Sequence, residues 1–370
     1  MKILYVTTIS NTMSFFVEHI KMLYNEGHVV EIACAEGTKP LNPIYHELGC
    51  KVHIIPFSRS PFSKSNLKAY KMLKHLVEAE HYDIVHTHTP NASMLARLAC
   101  RKLRKKGTRV FYTAHGFHFF KGAPFKNWLI YYPIEKLCAR FTDVLITINT
   151  EDYALAQKKM HAKKICYVPG VGIDLSKIQN IECNREELRK SMGVPEDCIM
   201  LLSIGELNTN KNHQVAVKAL AKLNNKNVHY AIAGIGDQKD NLLELAKNLG
   251  VDNQIHLLGY RTDALKLYRG ADVFVFPSFR EGLSVSMMEA MCCGLAVICS
   301  DIRGNRDLIK DDMGGYLCST NELDSFVNAI KSLLNDEKLR KEMGNYNQIA
   351  IQKFSNKQVI PMMESIYHNL

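Results

Sequence analysis

The chain has 370 residues, which is enough for two domains of ordinary size. Its composition, with 46% hydrophobic and 23% charged residues, is typical of a globular protein and excludes a disordered one. No run approaches the roughly 20 apolar residues that span a bilayer, and Met1-Lys2 leads directly into a strand-like segment, which is not the pattern of a signal peptide. The net charge of +10 comes from residues 1–172, which hold 24 Lys and Arg against 12 Asp and Glu, so this half is expected to meet an anionic partner.

Apolar, β-rich segments alternate with helical patterns in the first half of the chain. Strands are expected at Lys2–Thr7, Val29–Cys34, Val52–Pro56, Asp83–His88, Arg109–Thr113 and Asp143–Ile148. Helices are expected at Ser14–Asn25, Ser65–Ala79, Asn91–Lys106 and Asn127–Phe141. This alternation predicts a parallel sheet that is covered by helices on both faces.

The alternation restarts after Val168–Asp174, whose proline and glycines predict a hinge. Further strands are expected at Ile199–Ile204, Val228–Ala233, Gln254–Leu258, Asp272–Phe276 and Leu295–Cys299. The prediction is therefore two doubly wound, Rossmann-like α/β domains in series, 1–172 and 173–353, with ligands bound in a cleft between them at the carboxyl ends of the strands. Residues 354–370 are expected to form a tail helix that packs on the first domain and that Pro361 kinks or restarts.

The segment Pro277–Asp301 predicts one strand–loop–helix–strand unit, with Glu281 in its loop and Glu289 in the helix Ser284–Cys293. At the start of this helix, the N–H groups of Leu283, Ser284 and Val285 should be unpaired, which suits a diphosphate. Glu289 is the one charge among methionines, alanine and cysteine, so its carboxylate needs a partner. The alternative interpretation is two solvated acids on a helix face.

Several other features allow more than one function. His86, His88, His115 and His118 lie near strand ends, but they lack nearby carboxylates to complete a metal site. Gly234-Ile235-Gly236 follows a strand, yet no glycine fingerprint for a dinucleotide follows the first strand. The eleven cysteines include no CxxC pair, which predicts buried thiols in a reducing cytosol. We therefore expect neither a metal nor another cofactor.

The basic runs Lys64–Lys74 and Arg101–Lys106 are either solvated helix faces or contacts with an anionic membrane. Trp128, Ile130, Tyr131 and Tyr132 supply side chains suited to a membrane interface close by. No recognition motif accompanies the charge, so we do not expect a nucleic-acid partner.

The spacing of Glu281 and Glu289 resembles the signature of the retaining glycosyltransferases of family 4, which have the two-domain GT-B architecture. The resemblance extends over the whole chain through DIVHTHTP at Asp83–Pro90, TAHGFHF at Thr113–Phe119, YVPGVGID at Tyr167–Asp174 and SIGELNTNKNH at Ser203–His213. Within the family the chain is most similar to bacterial enzymes of capsule and exopolysaccharide assembly.

The resemblance implies a role for each matching position. Glu289 would bind the ribose, Glu281 the donor sugar, Lys211 the diphosphate, and His115 the sugar from the first domain. Tyr260 and Arg261 would meet the base, and the remaining donor-side positions are Gly205, Glu206, Gly234 and Gly282. The acceptor side would include His88 and, because the usual glycine-rich loop is missing, Thr8, Ser10 and Asn11.

One departure concerns the diphosphate. The family often carries arginine where this chain has Glu206, so Arg261 or Arg280 would have to supply the missing cation.

The resemblance implies a retaining hexosyltransferase. It would move a sugar from a nucleotide donor, expected to be a UDP-sugar such as a UDP-N-acetylhexosamine, to a lipid-linked saccharide at the cytoplasmic face of the plasma membrane. Two alternatives remain open: a UDP-sugar epimerase of the same architecture, which needs no acceptor, and a non-catalytic protein that binds sugar nucleotides.

Overall fold

The computed structural model describes residues 1–38 and 40–369. The chain divides into two compact units, Met1–Gly172 with Asn356–Leu370, and Ile173–Ser355. The strands are β1 (Lys2–Ile9), β2 (Val29–Ala35), β3 (Lys51–Ile54), β4 (Ile84–Thr87), β5 (Arg109–Ala114), β6 (Val144–Thr147), β7 (Lys164–Tyr167), β8 (Ile199–Ile204), β9 (Val228–Ala233), β10 (Ile255–Gly259), β11 (Val273–Phe276), β12 (Ala296–Ser300) and β13 (Gly315–Cys318).

Helices follow almost every strand. They are α1 (Val17–Asn25), α2 (Ile44–Glu47), α3 (Ser65–Glu80), α4 (Pro90–Cys100), α5 (Phe125–Ala139), α6 (Thr150–Lys159), α7 (Leu175–Gln179), α8 (Arg185–Ser191), α9 (His213–Leu223), α10 (Lys239–Asn248), α11 (Ala264–Gly270), α12 (Val285–Cys292), α13 (Arg303–Leu308), α14 (Leu323–Leu334), α15 (Glu337–Ala350) and α16 (Asn356–His368). No helix among the described residues is long and apolar enough to cross a membrane.

The first unit contains a parallel sheet in the order β3-β2-β1-β4-β5-β6-β7. Strand β1 is central, with Ile3 opposite both Val30 and Ile84. Its side chains alternate between two cores: Ile3 and Tyr5 pack on one face of the sheet, and Leu4 and Val6 pack on the other. Burial of both faces explains why the strand reads as a continuous apolar run.

The second unit repeats this design with a sheet in the order β10-β9-β8-β11-β12-β13, also parallel. Both sheets and their flanking helices have the doubly wound, Rossmann-like form that the alternation of elements predicts. The edge strands β7 and β13 are absent from the prediction, because each has only four residues and the two middle residues of each are only partly buried, so neither shows a strongly apolar run.

Two predicted helices are divided in the structure. Residues Ser10–Phe16 form a 3-10 helix ahead of α1, and a second 3-10 helix, Leu103–Lys106, is separate from α4. Helix α16 does not restart at Pro361 but continues through it.

The tail helix begins at Asn356, two residues after the predicted start, and belongs to the first unit. Val359, Met363, Ile366 and Tyr367 are buried in the same core as Ile3 and Tyr5. The preceding Phe354 stays with the second unit, where its carbonyl accepts the N–H of Ile173 at 3.1 Å.

The loops after β8 and β9 approach so closely that Gly234 has no room for a side chain. A Cβ there would lie 1.7 Å from the carbonyl oxygen of Gly205. We expect Gly234→Ala to lower the free energy of unfolding by at least about 3 kcal/mol, since two backbones must separate. Gly250→Ala is the control, because its φ is +68° and nothing lies within 4 Å, so only about 1 kcal/mol of backbone strain applies. Urea unfolding that ranked the two variants equally would contradict the close approach.

Candidate active site

Helix α12 begins at the carboxyl end of β11, and its first turn is open. The Ser284 hydroxyl caps the helix by accepting the N–H of Met287 at 3.3 Å. Among the described residues, the backbone N–H groups of Leu283, Ser284 and Val285 donate no hydrogen bond. These are three of the donors that an α-helix leaves without an intrahelical partner, and the positive end of the helix dipole lies beside them. The arrangement fits a bound phosphate.

The loop before α12 is held in place by its neighbours. Phe279 donates its N–H to the carbonyl of Asn210 at 2.8 Å, and the Asn210 side chain donates to the carbonyl of Arg280 at 3.0 Å. On the other side, Arg303 Nε donates to the carbonyl of Glu281 at 3.1 Å. A Cβ on Gly304 would lie 1.9 Å from the carbonyl oxygen of Gly282, so α13 packs directly against the loop backbone.

The structure brings Lys211 and Glu281 together. Lys211 Nζ lies 2.8 Å from Glu281 Oε1, with both side chains more than four-fifths buried. The ammonium also lies 4.6 Å from the centre of the Phe276 ring, a cation–π contact. A side chain on Gly205 would contact the Lys211 stem, with Cε 3.3 Å from a Cβ placed there. The two predicted residues therefore neutralise each other beside the open end of α12.

Glu289 lies farther along α12 and has the partner that its apolar surroundings require. Glu289 Oε2 accepts the hydroxyl of buried Tyr268 at 2.7 Å. Burial raises the pKa of Glu289 to about 6, against the opposing effects of the Tyr268 hydrogen bond and the Lys177 charge. In the sequence, Tyr268 and Phe276 look like ordinary core aromatic residues, because only the tertiary fold brings one to an acid and the other to an ammonium.

Other donor-side positions lie on the neighbouring loops of the second unit. Glu206 is exposed and accepts a hydrogen bond from Asn208 Nδ2 at 2.8 Å. Arg261 makes two contacts of 2.7 Å with the carboxylate of Asp263, while Tyr260 is 57% exposed. Arg280 is exposed, and its side chain forms no ion pair with any residue in 1–38 or 40–369.

Of the predicted acceptor-side residues in the first unit, Thr8 and Ser10 are buried. Thr8 Oγ1 lies 2.7 Å from Thr89 Oγ1, and Ser10 Oγ accepts the N–H of Gly37 at 2.9 Å. Asn11 is half-buried and donates to Thr38 Oγ1 at 2.9 Å. The hydroxyls of Thr8 and Ser10 thus order the loops at the end of β1.

The histidines do not share one environment. His115 is half-buried, and its Nε2 lies 3.3 Å from Nδ1 of His88. His88 is 2% exposed, so its ring lies almost wholly beneath the surface, and its place on the acceptor side stays a prediction. His86 is buried and hydrogen-bonded to Tyr367 and Thr113. His118 stacks on Tyr131, with ring centres 4.6 Å apart.

The group of side chains that could share a metal ion, among the described residues, lies away from these histidines. It consists of Glu26, Glu364 and His368, where α1 ends and α16 ends. Glu26 and His368 already form an ion pair of 3.0 Å. The expectation of a metal-independent site stays a prediction.

Helix α5 presents an apolar face that differs from the predicted one. Trp128, Tyr131 and Tyr132 are half-buried against the core, and Trp128 Nε1 donates to the carbonyl of Phe120 at 3.2 Å. Of the predicted residues only Ile130 is exposed, at 39%, and the other exposed apolar side chains of α5 are Phe125 at 80%, Leu129 at 66%, Leu137 at 51% and Ile134 at 36%. Phe62, at 84%, lines the same cavity as Ile130 and Ile134.

A buried ion pair fixes α5 to α4. Arg97 Nη1 and Nη2 donate to the Glu135 carboxylate at 2.8 Å and 3.1 Å, and the guanidinium lies 4.2 Å from the centre of the Tyr112 ring. The outward direction of the apolar face is therefore set by a bidentate contact in the core.

Comparison with known proteins finds relatives over the whole chain. Residues 184–349 match the family described as glycosyl transferases group 1, and residues 2–149 match the family described as glycosyl transferase 4-like. The chain is 35% identical to the putative glycosyltransferase EpsD of Bacillus subtilis, over 99% of this chain and 96% of that protein.

More distant relatives agree with these matches. The chain is 28% identical to the UDP-Gal:alpha-D-GlcNAc-diphosphoundecaprenol alpha-1,3-galactosyltransferase of Escherichia coli, over 97% of this chain and 94% of that one. The crystal structure of Anabaena Alr3699/HepE in complex with UDP-glucose superposes with a TM-score of 0.83 at 19% identity, over 100% of both chains.

The raised pKa of Glu289 predicts that this acid destabilises the fold at neutral pH. Its pKa of about 6 exceeds the ordinary 4.5. The loss of folding stability is therefore absent well below pH 4.5, where the carboxyl is neutral in both states, and complete well above pH 6, where it is charged in both. Glu289→Gln should raise the free energy of unfolding at pH 8 by at most about 2 kcal/mol and leave it unchanged at pH 3. The control Glu244→Gln removes an exposed acid from α10. Equal shifts for both variants in chemical denaturation would contradict the assignment.

Proposed function

The chain belongs to the group 1 glycosyl transferases and has the GT-B fold, and on that premise we propose that it transfers a hexose from a UDP-sugar, with retention of the anomeric configuration. The acceptor is a lipid-linked saccharide used to build a surface polysaccharide. The donor is a UDP-hexose or a UDP-N-acetylhexosamine. No metal takes part in this proposal.

One observation supports the proposal above the others. Three unpaired N–H groups at the start of α12 lie next to Lys211 and Glu281, with Glu289 on the same helix. A diphosphate accepts hydrogen bonds from such amides and is attracted by the helix dipole and the ammonium. A carboxylate at each end of this segment accepts hydrogen bonds from hydroxyls, so the ligand must carry a sugar on both sides of its phosphates.

The Lys211–Glu281 pair changes partners when the donor binds. The ammonium moves from Glu281 to the diphosphate, and the Glu281 carboxylate becomes free to accept hydrogen bonds from the donor sugar. Charge on the departing UDP is then stabilised by Lys211 and the α12 amides, which were in place before the reaction. The bond from the anomeric carbon to the diphosphate breaks, the acceptor oxygen bonds to that carbon, and the departing phosphate takes the acceptor's proton.

The ribose and the base bind at other residues of the second unit. Glu289 accepts hydrogen bonds from the ribose hydroxyls, and exposed Tyr260 meets the base. Arg261 is committed to Asp263 through two short contacts, whereas Arg280 is exposed. We therefore assign to Arg280 the cation that the family usually carries where this chain has Glu206.

Relatives support the choice of substrates. The name of the Escherichia coli relative gives UDP-Gal as its donor and a diphosphoundecaprenol-linked sugar as its acceptor. The Anabaena structure contains UDP-glucose. By analogy, this chain takes a UDP-sugar and a lipid-linked acceptor.

A lipid-linked acceptor requires access to a membrane, and the apolar face of α5 is suited to it. Phe125, Leu129 and Phe62 are exposed, and Lys64, just before α3, is exposed in the same unit together with Lys68 and Lys71 of α3. Apolar side chains that enter the interface together with nearby lysines favour anionic lipid. The proposed location is cytoplasmic, peripheral at the inner face of the plasma membrane.

A panel of nucleotide sugars tests the donor first, by the rise in melting temperature that a ligand of the folded state produces. The stabilising donor is then incubated with and without a lipid-linked saccharide. Transfer predicts UDP release only when both are present. UDP-sugar conversion without an acceptor would identify an epimerase, and binding without turnover would identify a non-catalytic protein.

Single variants separate the three charged residues. Lys211→Ala should lower kcat at least about tenfold, which is about 1.4 kcal/mol of barrier, because one cation no longer faces the departing phosphate. Glu289→Ala should weaken UDP binding far more than Glu281→Ala, since UDP carries the ribose but not the donor sugar. Calorimetry that gave both variants the same UDP affinity would overturn these roles.

Vesicle sedimentation tests the membrane contact. Leu129→Asp places a charge at the centre of the apolar face and should reduce binding to anionic vesicles about tenfold. The matched control is Ile349→Asp, which alters a side chain that is 75% exposed in the second unit. Binding by the unmodified protein that ignored both salt and anionic lipid content would contradict the proposal.

A further inference from the structure

We propose that His88, buried behind His115, holds His115 as the tautomer with its proton on Nδ1, so that His115 donates a hydrogen bond to a bound saccharide and takes no proton from it. The proposal rests on the proposed function for its saccharide, but the tautomer itself can be measured on the protein alone.

The proton position follows from the contacts of His88. A neutral imidazole has one N–H and one lone pair, and His88 Nδ1 faces His115 Nε2 at 3.3 Å, so one of these two nitrogens donates to the other. His88 Nε2 is buried without a hydrogen-bond partner among the described residues. If His88 carries its proton on Nδ1, the unpartnered Nε2 has only a lone pair. If the proton is on Nε2 instead, that nitrogen is a buried N–H, which folded proteins rarely leave unpaired.

Both rings are neutral near pH 7. Burial, with the nearby His19, lowers the pKa of His115 to about 4. Burial, with the neighbouring histidines His86, His115 and His19, holds the pKa of His88 well below its usual range. At the pH of the cytosol each ring therefore carries a single proton, on either Nδ1 or Nε2.

The His88 ring is fixed on its faces. It stacks on Tyr5 with ring centres 5.1 Å apart and lies 4.0 Å from the centre of the Phe16 ring. His86 lies behind it, with ring centres 4.1 Å apart. A ring enclosed in this way cannot turn to exchange Nδ1 for Nε2.

A hydrogen-bond chain from the tail helix in turn fixes His86. Tyr5 Oη and Tyr367 Oη are 2.7 Å apart, Tyr367 Oη is 2.5 Å from His86 Nδ1, and His86 Nε2 is 2.8 Å from Thr113 Oγ1. In either direction of donation along this chain, both ring nitrogens of His86 and the Tyr367 hydroxyl have partners, so His86 is held at both nitrogens. Tyr367 and His86 thus act as positioning residues through His88.

With Nε2 occupied by His88, the Nδ1–H of His115 is the nitrogen available to a ligand. Nδ1 makes no hydrogen bond with any residue in the described part of the chain. A donor of this kind selects an oxygen lone pair of a sugar hydroxyl. It has no lone pair with which to act as a base, which leaves the acceptor's proton to the departing phosphate.

Two substitutions of His88 separate hydrogen bonding from packing. His88→Phe keeps an aromatic ring between Tyr5 and Phe16 but has no donor, whereas His88→Asn loses the ring but places an amide N–H near the position of Nδ1. We expect kcat to fall about tenfold in the phenylalanine variant, with KM for the nucleotide sugar unchanged, and to recover most of that loss in the asparagine variant. A purely structural role predicts the reverse order, which would overturn the proposal.

Nitrogen chemical shifts of ¹⁵N-labelled histidine provide a readout that does not depend on turnover. His115 should show a protonated Nδ1 in the unmodified protein and in His88→Asn, and a mixture of tautomers in His88→Phe. A protonated Nε2 on His115 in the unmodified protein would overturn the inference even if the enzyme transfers sugar. Conversely, the expected tautomer in a protein that transfers nothing would leave the inference standing and remove the proposed function.

Discussion

The second unit is organised around the need to keep backbone N–H groups exposed at the carboxyl edge of its sheet. Side chains cannot lie between the loops there, because Gly234 lies against the carbonyl of Gly205, and Gly304 lies against the carbonyl of Gly282. The loops are instead joined by backbone and amide hydrogen bonds. The amides at the start of α12 are thus held in place before any ligand arrives, so binding does not have to order them.

Two ion pairs of similar chemistry differ in how accessible they are to a ligand. Arg97 and Glu135 form a buried, bidentate ion pair, and the Tyr112 ring covers the guanidinium. Neither side chain is exposed enough for a ligand to replace its partner. Lys211 and Glu281 share one contact and remain partly accessible, so an anionic ligand can take the ammonium. Separating the first pair would leave a buried charge, whereas under the proposed function the diphosphate would supply a new partner for Lys211 and offset the cost of separating the second pair.

The repeating elements could be read from the sequence because burial on both faces turns a parallel strand into an apolar run. Ile199–Ile204 and Val228–Ala233 have the predicted bounds, and α12 differs from its prediction by one residue at each end. Glu289 could be singled out from the residues themselves, because it is the one charge within an apolar stretch, whereas Lys211 and Glu281 were named through the family resemblance, and the roles of all three stay predictions. Tyr268 and the burial of His88 could not be predicted, since both depend on contacts between segments that are far apart in the sequence. The edge strands β7 and β13 were missed because each has only four residues and no strongly apolar run, whereas the edge strands β3 and β10 were predicted.

The tail helix has a consequence for how the chain folds as it leaves the ribosome. The first unit needs Val359, Met363, Ile366 and Tyr367 to complete its core, yet these residues are synthesised after the whole of the second unit. At ordinary elongation rates of roughly 5–20 residues per second, the face of the sheet around Ile3 and Tyr5 stays uncovered for on the order of ten seconds or more while residues 173–355 are added. An apolar surface exposed for that long is a binding site for chaperones, and α16, which is translated after the second unit, is the helix that closes it.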